Sequence, residues 1–336
     1  MRDVAIVTAA SRQEPQVLDT EVELMVPLIA QVREATGLAQ QDIGFTCSGS
    51  SDFLAGQAFS FVMTLDAVGA FPPISESHVE MDGAWALYEA WVKIQMGAAD
   101  TALVYSYGKP SPGSLRDVLA TQLDPYYVAP LWPDAHAMAA LQARLVLDSV
   151  DPDELAAIAV RSGRVSSVAD YHASPVVADP LRAADCAPSA DGGVAVILAA
   201  GDRAHDLCDR PAWIRGIDHR IDPHTLGVRD LAAAPSAGLA AAKAGLLGDP
   251  VDVAELHAPY TTQEIILRRE LGLGDDVAIS PSGGALAADT MMASGLMRLA
   301  EAARAIWRGD ANRAAAHATA GPLLQQNLVC VLEGGA

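Results

Sequence analysis

The chain has 336 residues, 51% apolar and only 19% charged, which supplies a sizeable core and excludes a disordered segment. Its 42 acidic against 22 basic residues leave a formal net charge of −20, a surface that repels phosphate backbones and anionic lipid headgroups, so nucleic acid is an unsuitable partner. Cys47, Cys186, Cys208 and Cys330 form no CxxC pair, which argues against a zinc ribbon or a disulfide framework, and no metal site is expected. The first residues hold too short an apolar run for a secretory signal, and no apolar stretch approaches the roughly 18 residues of a membrane span. The sequence therefore reads as cytoplasmic with no membrane span.

In chain order, a short apolar run over 4–9 predicts a buried strand, and helical spacing over 21–36 closes on Gly37, a helix C-cap signal. A second strand is expected over 42–47, ending in the turn Ser48-Gly-Ser-Ser51. A strongly apolar helix follows over 83–96, stopped by Gly97, and then a strand over 101–105. From Lys109 to about Ala190 nine prolines punctuate the chain, with helices over 135–148 and after Asp153, so this stretch reads as an insertion. The regular pattern resumes with strands over 192–200, 253–256, 314–318 and 328–332 and helices over 262–271 and 294–307. Alternating strands and helices predict an α/β protein with a mainly parallel sheet covered on both faces.

Two segments repeat. Gly83-Ala-Trp-Ala-Leu87-Tyr-Glu89-Ala90, with Ile94 and Gly97, matches Gly295-Leu-Met-Arg-Leu299-Ala-Glu301-Ala302, with Ile306 and Gly309, at a constant offset of 212 from Gly83 to Gly295. Each match runs helix, glycine, polar turn, strand. The reading is two related halves stacked back to back: 1–108 with 190–204, then 205–336, with 109–189 inserted in the first.

Four ordered segments resemble the thiolase superfamily, in its sterol-carrier-protein-X or lipid-transfer-protein branch of actinobacterial type. They are Asp185-Cys-Ala-Pro-Ser-Ala-Asp191-Gly-Gly193, Glu255-Leu-His257-Ala-Pro-Tyr260, Pro281-Ser-Gly-Gly284 and Gln325-Gln-Asn327-Leu328, joined by the run Ser75-Glu-Ser-His-Val-Glu-Met-Asp82. The resemblance implies the thiolase fold, two βαβαβαββ halves in five α-β-α-β-α layers. It also implies a loop domain and a dimer, expected on the first-half sheet edge near 42–51, or a heteromer with another thiolase-like chain or a small OB-fold zinc-ribbon protein.

That family uses a cysteine at the N-terminus of a buried helix as an acyl-accepting thiolate. Counting back from Gly83 places Glu80 there, and the histidine of the family's GHPxGxxG segment becomes Asp289. The third cysteine position, in His317-Ala-Thr319-Ala-Gly321, carries no thiol. Cys330 reads as core. His257 keeps the family's oxyanion histidine, and Tyr260 replaces a phenylalanine with a group that can donate or accept a proton. The candidate catalytic residues are thus Glu80, His257, Tyr260 and Asp289, with His78, Asp82 and Thr319 as candidate pocket residues. Glu80 and Asp82 have a plainer reading as helix caps, and Tyr260 as a half-buried phenol bonded to backbone. His136, His172, His205, His219 and His224 lack ligand spacing and read as ordinary histidines.

Carboxylates in place of a thiolate suggest retro-aldol cleavage or formation of a carbon–carbon bond on a lipid- or steroid-derived CoA thioester. The thioester is the substrate and no bound cofactor is called for. A catalytically silent subunit and a lipid-transfer protein are the alternatives.

Overall fold

The computed structural model describes residues 2–69, 75–147 and 150–335. The described residues form twelve strands: β1 (Val4–Glu14), β2 (Phe45–Gly49), β3 (Glu76–Val79), β4 (Thr101–Gly108), β5 (Val176–Ala178), β6 (Leu181–Arg182), β7 (Asp191–Ala200), β8 (Ala212–Ile221), β9 (Val253–Glu255), β10 (Ala278–Ile279), β11 (Arg313–Ala320) and β12 (Gln326–Gly334). All but the β5–β6 hairpin join one sheet in the order β10-β9-β11-β12-β8-β1-β7-β4-β2-β3.

The sheet is a duplication. Outward from the centre, the first half runs β1, β7, β4, β2, β3 and the second β8, β12, β11, β9, β10. In each half the first three strands pair antiparallel and the last two join in parallel. The halves meet where Ala5 pairs with Trp213 and Ile6 with Ala212. The sheet is therefore mixed, not mainly parallel as the alternating pattern suggests. The long antiparallel strands are the first strand and the last two of each half: β1, β4 and β7, then β8, β11 and β12.

Both halves turn one face to a shared core that holds the helices Gly83–Gln95 and Ser294–Arg308 between Val104 and Val196 on one side and Leu328 and Cys330 on the other. The first helix is apolar almost all round because it is covered on several sides. The outer face of the first half is covered by Glu21–Thr36, whose start is fixed by a capping box between Thr20 and Glu23 and whose end is Gly37 in the left-handed region. Helices Pro235–Ala244 and Thr261–Glu270 cover the second half. The layers run α-β-α-β-α.

Between β4 and β7 the chain forms helices Leu115–Thr121, Ala135–Val146, Pro152–Arg161 and Val168–Ala173. The expected end of one of these helices at 148 lies outside the described residues. Met138, Ala139, Ala143 and Leu181 from this stretch pack with Leu323 of the second half, and Tyr260 rests against the same cluster. The sheet edge of the first half is β3. The stretch 42–51 is not an edge, because β2 pairs with β3 on one side and β4 on the other.

Candidate active site

Asp82 caps the Gly83–Gln95 helix, and its Oδ1 accepts from the Ala84 N–H at 2.8 Å. It also caps the other inner helix: Oδ2 accepts from Gly295 N–H at 2.6 Å and Oδ1 from Leu296 N–H at 3.0 Å. One carboxylate thus sits at the positive ends of both central helices. Position 295 must be glycine, since a Cβ there would lie 2.5 Å from Asp82 Oδ1. Burial raises the Asp82 carboxyl to about 6, opposed by nearby His257 and by the three N–H groups.

His257 follows β9 and is buried. Its Nδ1 accepts from the Thr319 N–H at 3.4 Å, which leaves the proton on Nε2, and Nε2 lies 3.7 Å from Asp289 Oδ1. Asp289 Oδ1 also accepts from Ser294 Oγ at 2.6 Å and the Met291 N–H at 2.9 Å. Burial alone would raise the Asp289 carboxyl, but His257, Ser294 and the Met291 N–H together hold it below the ordinary carboxylate range. These contacts all use Oδ1, so Oδ2 is the oxygen this residue has to offer the cavity it lines.

Tyr260 stands just before the Thr261–Glu270 helix, and its Oη lies 3.1 Å from His136 Nδ1 in the inserted stretch. Burial pushes the Tyr260 phenol up, and nearby Cys186, Asp289 and Asp134 add to the effect.

Asp82, His257, Tyr260, Asp289 and Thr319 line one cavity of about 380 Å³, between the inserted helices and the second half. Leu119, Leu123, Met138, Met292 and Leu324 make most of its walls apolar. Three residues of the lining, Met291, Leu323 and Leu324, hold positive φ of 56°, 60° and 59°, a strained backbone for residues with side chains. Arg229 holds this wall through the Pro322 and Leu323 carbonyls. Among the described residues, no Lys, Arg or Cys lines the cavity.

Glu80 and His78 are not brought to it. Glu80 Oε1 accepts from the Asp52 N–H at 2.6 Å, and its Oε2 lies 3.6 Å from His78 Nε2. His78 in turn meets Ser48 Oγ at 3.1 Å and stacks on Phe61. The cause is local: β3 ends at Val79, so Glu80 lies in the turn before the helix and faces the 52–61 segment, while Asp82 takes the cap. The carboxylate beneath the site is therefore Asp82, not Glu80. His136 and Ser294 were missed. Ser294 precedes Gly295 in a recognisable segment, but His136 meets a partner 124 positions away and has no local signature.

No family model matches the chain. It is 29% identical over 164 residues to an acetyl-CoA acetyltransferase of Methanothermobacter thermautotrophicus (42% of each chain). It is 30% identical over 119 residues to the 17-hydroxy-3-oxo-4-pregnene-20-carboxyl-CoA lyase of Mycobacterium tuberculosis (33% of this chain, 31% of the lyase). A Methanocaldococcus jannaschii acetyl-CoA acetyltransferase matches at 25% over 301 residues (81% and 76%). The chain thus spans less than half the length of the first two relatives. Among solved structures, an Ltp2-ChsH2(DUF35) aldolase superposes with a TM-score of 0.79 at 18% identity (98% and 97% covered). Human mitochondrial 3-ketoacyl-CoA thiolase superposes at 0.78 and 16% identity (100% and 99%). The duplicated halves, the paired central helices and these superpositions agree: the chain has the thiolase fold.

Proposed function

We propose that this protein is a carbon–carbon lyase that cleaves a β-hydroxyacyl-CoA thioester by a retro-aldol route, with no acyl-enzyme. The observation that carries this reading is the lining of the cavity: a histidine with its proton on Nε2, an ionised aspartate and a tyrosine, with no thiol among them.

The roles follow from the atoms each group presents. The thioester oxygen sits on the His257 Nε2–H, which the 3.7 Å spacing to Asp289 leaves loosely held. The β-hydroxyl gives its proton to Tyr260 as the phenol releases its own proton towards bulk water, the bond between the α- and β-carbons breaks, and its electron pair enters the thioester as an enolate. The enolate carbon takes up a proton from water, leaving a ketone or aldehyde and a shortened acyl-CoA. Asp289 holds the imidazole, and Asp82 fixes the helix ends beneath it. With no cation in its lining, the cavity suits an apolar acyl group, and the CoA phosphates lie outside. The names of the mycobacterial lyase and of the Ltp2-ChsH2(DUF35) aldolase support this reaction class, and the joint name of the second supports work in a heteromer.

The test is incubation with tertiary β-hydroxyacyl-CoA thioesters of increasing chain length, reading released ketone and acyl-CoA by mass spectrometry. Cleavage is expected, and Tyr260→Phe lowers it by roughly 10²–10⁴, the usual range for a lost acid–base group. An acyl adduct on any cysteine, or no cleavage, overturns the reading; the latter result favours the silent-subunit alternative.

A further inference from the structure

We propose that His136 is the proton acceptor for Tyr260, a positioning residue that links the phenol in the cavity to bulk water. The inference rests on the lyase reading and names the device that lets its tyrosine act as a base.

A neutral phenol cannot take a proton without releasing its own. Burial makes Tyr260 a poor phenolate, so its proton needs a destination. Among the described residues, His136 Nδ1 is that destination, 3.1 Å from Oη with the two rings edge to face at 86°. His136 is exposed, so the other side of its ring reaches water. Its place is built: Asp134 caps the Ala135–Val146 helix through the Ala137 N–H at 2.6 Å, and Ala135, Met138 and Ala139 of that helix line the cavity. With the proton on Nε2, the Nδ1 lone pair accepts the Tyr260 O–H, and the phenol turns its own lone pairs towards the substrate.

The step balances. The substrate O–H breaks as a new O–H forms on Tyr260, and the original phenol proton moves to His136 Nδ1. The imidazolium then loses its Nε2 proton to water. The carbon–carbon electron pair enters the thioester, and the enolate carbon takes one proton from water, so nothing is oxidised or reduced. Cys186, Asp289 and Asp134 lie near enough to Tyr260 to add to the effect of its burial.

The experiment compares the whole chain with His136→Ala and His136→Gln on the β-hydroxyacyl-CoA substrates. Because His136 is exposed, both variants fold. His136→Ala lowers kcat roughly 10–100-fold with little change in KM and regains rate with added imidazole. His136→Gln, which can hydrogen-bond but not titrate, stays slow. Independently of turnover, the NMR resonances of the His136 ring at fixed pH move when Tyr260 becomes Phe and the contact with Oη is lost. An unchanged rate in His136→Ala, or unmoved His136 resonances in Tyr260→Phe, overturns the relay and leaves the lyase reading intact. A wild-type chain that cleaves none of these thioesters overturns the lyase reading, and the relay with it.

Discussion

At the scale of single residues, Asp82 makes a sharp demand on pH. Its carboxyl is raised from an ordinary value near 4 to about 6, so between those values the folded chain binds a proton more tightly than the unfolded chain. The stability this contributes is present at low pH and is lost as pH rises through about 6, a swing on the order of 3 kcal/mol. Asp82→Asn removes the titration, and it also turns a donor towards one of three buried N–H groups, a cost of about 1–3 kcal/mol. The wild-type advantage in melting temperature over Asp82→Asn should therefore shrink between pH 4 and 6. An advantage that stays constant or grows over that range would show that Asp82 does not titrate there. The site was unevenly legible at this scale. Asp289, His257 and Tyr260 sit in segments whose order and spacing carry the thiolase resemblance, so they could be named in advance. Glu80 and Asp82 are two residues apart at the mouth of a helix, and spacing alone cannot say which one points inward.

At the scale of elements, the duplication was visible in the sequence because both central helices keep small residues where they approach each other. Gly83 has room for no Cβ, which would meet Ser106 at 2.5 Å and Leu296 at 2.8 Å, and Gly295 is blocked by Asp82 and Ala318. Gly83→Ala and Gly295→Ala should each destabilise the fold by about 1–3 kcal/mol, as expected for overpacking. Gly113→Ala, with nothing within 4 Å, should lie within about 0.5 kcal/mol of wild type in the same denaturant titration. Equal effects at all three positions would deny the close approach. The strand β8 and the helix Pro235–Ala244 escaped the reading for physical reasons. Arg215, Asp218 and Arg220 break the apolar run of β8, and the alanine-rich helix carries little contrast between its faces.

At the scale of the whole molecule, the first half ends on β3, which pairs with β2 and with no other strand among the described residues. An open strand edge offers a row of unpaired N–H and C=O groups to another chain. Beside it, the 52–62 segment exposes Phe53, Phe59 and Val62, apolar area that a lone chain gains little by showing to water. His78 and Glu80 belong here rather than to the cavity, for their contacts with Ser48, Asp52 and Phe61 tie β3 to that segment. The expectation of a dimer near 42–51 thus moves one strand position outward, from β2 to β3 and its neighbouring loop. Light scattering at micromolar concentration should give twice the 35.0 kDa chain mass. Phe59→Glu with Val62→Lys, both on exposed positions, should shift the species towards the single-chain mass while leaving the melting curve of the core largely in place. A wild-type chain that runs at 35.0 kDa would put the uncovered edge to a different partner, and one whose mass is unmoved by both substitutions would place the interface elsewhere.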